Sequence, residues 1–91
     1  MRLDLFLKVS RLVLRRTLAQ EMCDAGAVRI NGVQSKSGKE VKEGDEITIR
    51  QRGRIIKARI LSVPANKQVP KALASSLIEM ISNEPDPTAI I

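Results

Sequence analysis

The chain has 91 residues, and its 16 lysines and arginines outnumber its 10 aspartates and glutamates, which gives a formal net charge of +6. That length allows one domain with a modest core and excludes a catalytic domain with an appended binding module. One cysteine and no histidine exclude an intramolecular disulfide, zinc chemistry and histidine-based catalysis, and we expect neither a metal nor a cofactor. The hydrophobic fraction of 43% indicates a folded chain, and the positive charge predicts an anionic partner, with nucleic acid the first candidate.

The first 23 residues predict helical structure. Apolar positions recur there at helical spacing and would form two faces, one with Leu3, Phe6, Leu7, Ser10 and Leu14, the other with Leu18, Ala19, Met22 and Cys23. No glycine or proline marks a break, so periodicity alone leaves open whether this is one long helix or two short ones. Gly26 suits the left-handed position that follows a helix, so the helical segment should end just before it.

Past Gly26 the sequence period changes to that of strands. Asn31-Gly32 is the dipeptide best suited to a type I′ hairpin, because both central residues of that turn need positive φ. Further turn signals at Gly44-Asp45 and at Gly53 precede strand patterns around Ile47 and over residues 55–63. These segments predict a small antiparallel sheet.

The segment from Pro64 onward predicts a short helix followed by a tail. Residues 71–81 can form an amphipathic helix that carries Leu73, Leu77, Met80 and Ile81 on one side. Residues 82–91 hold two prolines among polar residues, which predicts a frayed, flexible end.

The first group of candidate binding residues comprises Arg2, Lys8, Arg11, Arg15 and Arg16, opposed in that segment by Asp4 alone. On a helical hairpin Arg15 and Arg16 would open the second helix, where the helix dipole disfavours a cation. Their position therefore favours a bound anion. The alternative is a solvated helix face with a pair between Asp4 and Lys8.

Two further groups surround the predicted strands. The second group is Arg29, Asn31, Lys36 and Lys39, close to the first hairpin; alternatively, its lysines only protect an exposed strand edge. The third group lies in a stretch without acids between Glu46 and Glu79. Its members are Arg50, Arg52, Arg54, Lys57 and Arg59, with Lys67 and Lys71 beyond them. Alternatively, these cations occupy alternate strand positions because they form the solvent-exposed face of the sheet.

The composition also indicates the kind of nucleic acid. Phe6 is the single aromatic residue, and it occupies a predicted core position. Proteins that bind single strands commonly stack bases on aromatic side chains, and this chain offers none for that purpose. The sequence therefore predicts binding of folded RNA through phosphates, 2′-hydroxyls and shape.

The first 50 residues contain, in order, the motifs R-L-D-x-F-L, S-R-L, R-x-x-A, G-x-V-x-[IV]-N-G and G-D-x-I. This set closely resembles the S4 RNA-binding domain, a family named for a protein of the small ribosomal subunit. The resemblance implies an α+β fold of the S4-like (alpha-L) type, in which a two-helix hairpin, bent at residues 11–14, packs on a small antiparallel sheet. We assign residues 1–63 to the S4 domain and residues 64–91 to a C-terminal extension with a short helix and a flexible tail.

The resemblance also implies one concave basic surface for structured RNA, formed by the helical hairpin and the hairpin after Asn31-Gly32. Asp4 is expected to orient a neighbouring arginine, because a carboxylate facing phosphate is repelled. Arg15 departs from the family pattern, which usually has a serine cap there, so the cap is weakened and a cation is added. The predicted RNA contacts are Arg2, Lys8, Arg11, Arg15, Arg16, Arg29, Asn31, Lys36 and Lys39, with no catalytic residue.

A stand-alone S4 domain with a short extension resembles two kinds of small ribosome-associated protein in bacteria. The quality-control branch implies binding to the ribosomal RNA of a large subunit that still holds peptidyl-tRNA, and stabilisation of that tRNA while the tailing factor RqcH extends the stalled chain. The fifteen-kilodalton heat-shock branch implies rescue of blocked large subunits. Both predict a non-enzymatic monomer that does not bind the membrane. We expect it in the cytoplasm, because Asp4, Lys8 and Arg11 interrupt any apolar signal segment at the N-terminus.

Two rival interpretations belong to other functional classes. A DNA-binding regulator would need a recognition helix with the asparagine, glutamine and arginine set that reads base edges, and none is evident. The S4 arm of an RNA-modifying enzyme would be established by a reading frame that continues beyond Ile91. A binding competition between duplex DNA and folded RNA would test the interpretation as a DNA-binding regulator.

Overall fold

The computed structural model describes residues 1–65 and 69–87. Its helices and strands, in chain order, are α1 Leu3–Val9, α2 Arg16–Asp24, β1 Val28–Ile30, β2 Val33–Gln34, β3 Glu46–Gln51, β4 Arg54–Ile60, α3 Lys71–Ala74 and β5 Ile78–Pro85. The five strands form one antiparallel sheet in the order β2-β1-β3-β4-β5. Lys67 and the last four positions of the predicted tail lie outside the described residues.

The helical segment is broken into two, so the two-helix interpretation is confirmed. Ser10 caps the C-terminus of α1, and Arg11 then adopts a left-handed φ of 63°, which ends the helix and reverses the chain. Gly26 follows α2 with a φ of 77°, as predicted. Leu14 was expected on the same helix face as Phe6, and this is wrong. It belongs to the segment that connects the two helices, so the helical periodicity does not apply to it, and its side chain is 73% exposed.

Two tight turns set the register of the sheet. Asn31 and Gly32 join β1 to β2 with φ values of 52° and 81°, the positive pair that a type I′ turn requires. Arg52 and Gly53 join β3 to β4 in the same way, with φ values of 54° and 73°. The predicted turns are therefore confirmed, and the first residue of the second turn is an arginine where asparagine, aspartate or glycine is usual.

The core lies between the helical hairpin and one face of the sheet. Phe6 is fully buried with Leu3 and Leu7 from α1, and the sheet contributes Ile47 and Ile49. Side chains alternate along a strand, so the residues between these strand positions point to the opposite face of the sheet. No helix within residues 1–65 and 69–87 is long and apolar enough to cross a membrane.

The C-terminal segment differs from the prediction of a helix to residue 81 and a frayed tail beyond it. Helix α3 ends at Ala74 and is followed by one 3-10 turn, and the chain then forms β5, which pairs with β4 from Ile78 to Pro85. The physical reason is tertiary: β4 would otherwise be an open edge, and pairing along it outweighs the local helical pattern. The tail prediction is therefore wrong for residues 82–85.

Candidate nucleic-acid interface

A buried carboxylate lies at the centre of the first cation group. Asp4 is in the first turn of α1, and its side chain is fully buried. Its Oδ2 accepts hydrogen bonds from Nε2 of Gln20 at 2.9 Å and from Nε of Arg16 at 3.2 Å, while its Oδ1 accepts one from the backbone N–H of Leu5 at 2.8 Å. Because Gln20 and Arg16 belong to α2, Asp4 joins the two helices.

Two arginines flank this carboxylate. Nε of Arg2 lies 3.2 Å from Oδ1 of Asp4, and Nε of Arg16 lies 3.2 Å from Oδ2. The arginine side chains are 49% and 39% exposed. Since each guanidinium meets Asp4 through Nε, its terminal amino groups remain suited to a second anion such as phosphate. Two cations around one carboxylate also leave a positive charge in excess.

The charge state of Asp4 follows from its surroundings. Burial raises the pKa of the Asp4 carboxyl, but the hydrogen bonds from Gln20, Arg16 and the Leu5 N–H, with the charge of Arg16, outweigh it and bring the pKa below its usual 3.8. Asp4 is therefore ionised at neutral pH. This geometry supports a positioning role, in which Asp4 aims two arginines outward from a fixed helical hairpin.

The starts of both helices carry arginine. Arg2 occupies the N-cap position of α1 and Arg15 that of α2, and neither side chain makes a capping hydrogen bond. The first turn of α2 contains no acid. Short polar side chains and acids are the residues that stabilise a helix start, so local helix chemistry does not explain these arginines. An anion bound beside the two helix N-termini would explain both arginines.

The remaining members of this group are exposed on the same helical hairpin. Lys8 lies in the last turn of α1, where a cation is favourable to the helix dipole, so it also has an ordinary structural explanation. Arg11 follows that turn and has no such structural explanation, because its left-handed backbone favours glycine. We call the five cations the helix-hairpin surface: Arg2, Lys8, Arg11, Arg15 and Arg16.

The loop of residues 35–40 completes one side of this surface, and we call it the lysine loop. The backbone N–H of Leu3 donates to the carbonyl of Lys39 at 2.8 Å, and that of Asp4 donates to Ser37 at 3.1 Å. A Cβ on Gly38 would lie 3.8 Å from a terminal nitrogen of Arg2, so the guanidinium rests against this loop. The structure thus brings Lys36 and Lys39, which lie in this loop, next to the start of α1.

Asn31 has an internal role. Its Nδ2 donates to Oδ1 of Asp45 at 3.1 Å, and its Oδ1 accepts from the backbone N–H of Glu46 at 2.9 Å. Oδ2 of Asp45 accepts from the backbone N–H of Lys42 at 3.0 Å, which closes the turn before β3. The N-G and G-D motifs therefore hold two turns together, and we remove Asn31 from the proposed contacts because both polar groups of its amide are already bonded.

Arg29 does not join the helix-hairpin surface. Val28 and Ile30 point into the core, so Arg29 points to the opposite face of the sheet, where it shares a groove with Arg50 and Lys57. Sequence reasoning grouped Arg29 with Lys36 because both are near one hairpin. Strand alternation separates them, and that signal was present in the sequence.

Sequence reasoning missed two residues of the site. Gln20 bonds Asp4, and its place four residues after Arg16 put both on one side of α2. Gly38 gives the Arg2 guanidinium room, which depends on a tertiary contact and has no local signal.

Within the described residues no cluster of metal-binding side chains occurs. Burial, with the nearby charges of Asp4 and Asp24, raises the pKa of the Cys23 thiol to about 11, so this thiol is protonated at neutral pH.

A preformed arginine pair on a helical hairpin, beside a basic loop and on a small sheet, defines a compact domain that binds a polyanion. The family model described as the S4 domain matches residues 1–47. The chain belongs to the S4 domain family and, within it, to the group of proteins named RQC P-site tRNA stabilizing factor.

Two of the relatives match more than nine tenths of the chain. The RQC P-site tRNA stabilizing factor of Halalkalibacterium halodurans is 48% identical over 85 residues, which is 93% of this chain and 94% of that protein. The protein of the same name from Listeria monocytogenes is 43% identical over 84 residues, 92% of this chain and 89% of its own. The solved structure of heat shock protein 15 from Vibrio cholerae, described as trimeric, is similar with a TM-score of 0.80 at 29% identity, covering 90% of this chain and 82% of that one. The predicted S4-like fold and the resemblance to the quality-control branch are confirmed.

Proposed function

We propose that this protein binds the P-site tRNA of a large ribosomal subunit and stabilises it while a stalled nascent chain is extended. The observation that carries the proposal is the pair Arg2 and Arg16, aimed outward by the buried Asp4, in a chain whose relatives carry the name RQC P-site tRNA stabilizing factor. The protein acts as a clamp and not as a catalyst. Because its partner is the ribosome, we place it in the cytoplasm.

The RNA-binding part in this proposal is residues 1–63, and residues 64–91 are an extension that includes β5. The helix-hairpin surface and the lysine loop contact RNA of the subunit and its tRNA, with RqcH bound to the same subunit. The proposed contacts are Arg2, Lys8, Arg11, Arg15, Arg16, Lys36 and Lys39.

The test of this function is Arg16→Ala, with Arg2→Ala as a second variant. Each removes one guanidinium from the buried Asp4, which keeps its bonds to Gln20 and the Leu5 N–H and the other arginine, so we expect the free energy of unfolding to fall by about 1–3 kcal/mol with the fold retained. We expect both variants to leave the large subunit in sucrose-gradient sedimentation of tagged protein. Sequencing the RNA that sediments with wild-type protein should recover tRNA.

The matched control is Arg59→Ala, which removes the same charge. Arg59 is already paired with Glu79 at 3.6 Å and lies on the sheet face away from the helices. It should sediment with subunits as the wild type does. Continued cosedimentation of both the Arg2 and Arg16 variants with subunits that hold peptidyl-tRNA would place the binding surface elsewhere.

A second candidate function, rescue of blocked large subunits, is favoured by the similarity to the Vibrio cholerae heat shock protein. The two functions differ in what accompanies the protein. Quality control predicts that RqcH and nascent chains with C-terminal tails copurify with the tagged protein, whereas rescue predicts blocked subunits without either.

We propose that the protein acts as a monomer. Sedimentation equilibrium of the free protein measures this directly. A stable trimer would instead align it with the Vibrio cholerae protein, which is described as trimeric.

A further inference from the structure

A second basic surface lies on the sheet, away from the helical hairpin. It consists of exposed cations from β1, β3, β4 and the turn between β3 and β4, and we call it the hairpin-tip surface: Arg29, Arg50, Arg52 and Lys57. In the sheet register Arg29 lies opposite Thr48, and Thr48 lies opposite Lys57. Arg29, Arg50 and Lys57 line one groove, which Gly26 and Ala27 also line.

This surface is separate from the helix-hairpin surface. The backbone N–H of Arg50 donates to the carbonyl of Ala27 at 2.9 Å, so Arg50 lies by the C-terminal end of α2. Arg16 begins the same helix, whose nine residues span about 13 Å. The groove also faces away from the core on which both helices pack. The two surfaces can therefore contact different parts of a partner, or two partners.

Arg52 has an unfavourable backbone for its side chain. Its φ of 54° matches the 52° of Asn31 in the first hairpin, but asparagine adopts this left-handed conformation far more readily than arginine does. An arginine kept in such a position indicates that its side chain serves some purpose other than forming the turn.

Strand β5 positions the neighbouring arginines. Oδ2 of Asp86, a residue with 2% exposure, lies 3.0 Å from Nε of Arg50, and its backbone N–H donates to the carbonyl of Gly53 at 2.8 Å. Arg54 also bonds β5, through Nε to Oδ1 of Asn83 at 2.6 Å, but strand alternation places it on the core side of the sheet with Ile56 and Ala58, so it is not part of the surface. A buried carboxylate beside an exposed arginine repeats the arrangement around Asp4.

The charge on this face is clearly positive. Its four cations face two acids of β5 and the residue after it, Glu84 and Asp86, which leaves a net charge of +2. Arg59, further along β4, is neutralised by Glu79 and is not part of the surface. Phe6, the one aromatic residue of the chain, is buried, so contacts to phosphates rather than stacked bases fit this face.

We propose that the hairpin-tip surface is a second RNA-binding surface, which contacts the phosphate backbone of an RNA segment other than the one bound by the helix-hairpin surface. This rests on the proposed function and deepens it: a clamp with two RNA surfaces on different sides can connect two RNA segments. Arg50 and Arg52 provide the contacts, while Asp86 acts as a positioning residue for Arg50.

A bridging assay tests the proposal. A biotinylated 20-base-pair RNA hairpin is immobilised, protein is added, and capture of a second, fluorescent RNA hairpin is measured. We expect wild-type protein to capture it, and we expect Arg52→Asn and Arg50→Gln to reduce the captured amount about tenfold, since each removes a charge-assisted contact. Binding of the first RNA should stay within about twofold of wild type, because the helix-hairpin surface is unchanged.

The controls separate charge, fold and function. Arg59→Gln removes the same charge and should capture the second RNA as well as wild type. Arg52→Asn should raise the melting temperature by about 2–6 °C, because asparagine suits the turn. A lower melting temperature would show that Arg52 serves the fold, and that result would overturn the proposal.

The remaining outcomes are equally decisive. If wild-type protein binds the first RNA but captures no second one, or if the Arg50 and Arg52 variants capture it normally, the hairpin-tip proposal is wrong and the proposed function stands. Polyglutamate is also tested as a competitor for the second RNA. If it displaces that RNA as effectively as unlabelled RNA does, the surface binds an acidic protein instead. Failure of wild-type protein to bind even the first RNA would count against the proposed function itself.

Discussion

Asp4 has each carboxylate oxygen bonded within the helical hairpin, and each oxygen is also next to an arginine of the surface. A buried charge is costly unless it is paired and hydrogen-bonded, so these contacts are what permit the carboxylate to be buried at all. The same contacts fix where Arg2 and Arg16 point. At this residue the requirement of the fold and the requirement of the surface are met by one set of bonds.

Asp4→Asn keeps the shape of the side chain and removes its charge. We expect the free energy of unfolding to fall by about 1–3 kcal/mol, because the amide cannot accept all the bonds that the carboxylate accepts. We also expect RNA affinity to fall, since both arginines lose their orientation. Urea titration measures the first effect and RNA titration the second. RNA affinity equal to wild type would show that the arginines do not depend on Asp4.

Asp4 also predicts how stability depends on pH. Its pKa is lowered by folding, so below about pH 4 the unfolded chain binds a proton that the folded chain resists. The stability that Asp4 contributes is therefore complete above that range and is lost as the pH falls through the folded pKa. The difference in unfolding free energy between wild type and Asp4→Asn should shrink as the pH falls below 4. A constant difference would contradict this.

At the scale of elements, α1 and its cap Ser10 are followed by Arg11, an arginine in a backbone conformation that disfavours any side chain with a Cβ. Arg11→Gly should stabilise the protein by about 1 kcal/mol, because glycine adopts the left-handed φ of 63° without a steric penalty. RNA affinity should fall with the loss of the charge. Lys8→Gly is the control: it also removes one positive charge, but Lys8 lies inside α1, where glycine costs about 1 kcal/mol. Opposite signs in the two unfolding experiments are the expected result.

The first hairpin depends on its turn. Gly32 has a φ of 81° and no atom within 4 Å of the position where a Cβ would be, so any effect of a larger residue there comes from the backbone. Gly32→Val should lower the melting temperature strongly, since a β-branched residue resists positive φ. Gly38→Ala should not, because its added Cβ makes only ordinary contacts. An unchanged melting temperature of Gly32→Val would contradict the role of this turn.

The elements that the sequence predicted correctly carry local signals. Gly26 and Asn31-Gly32 need positive φ, and the helical period of the first 23 residues shows where the helices lie. Strand β5 was missed because its pairing with β4 depends on residues about 25 positions away, while its own sequence favours a helix in its first half and a loose tail in its second. The role of Asn31 was missed for the same reason: its partner Asp45 is distant in sequence and could not be identified from spacing.

At the scale of the whole molecule, recognition through phosphates predicts a steep salt dependence. If the helix-hairpin surface and the lysine loop make about five to seven phosphate contacts, the slope of log K against log salt should be about −4 to −6. Replacing Arg15 or Arg16 with alanine should reduce its magnitude by about one unit each. Fluorescence titration of a folded RNA at several salt concentrations measures this, and a nearly flat response would exclude recognition by phosphate contacts.

The same mechanism predicts which RNA is preferred. Folded RNA should outcompete a polypyrimidine strand of equal length, because the chain has no exposed aromatic residue on which bases could stack. A preference for the single strand would require another mode of recognition.

The two edges of the sheet bear on how the protein behaves when it is crowded. An open strand edge offers unpaired backbone groups to other chains and promotes aggregation. Here β2 is two residues long, and the eight-residue β5 is interrupted by a bulge at Ile81, between the pairs Ala58–Met80 and Lys57–Ser82, and ends in Pro85. Neither edge gives a long, regular row of donors and acceptors for another strand. The protein can thus reach high local concentration around ribosomes with little risk of forming intermolecular sheets.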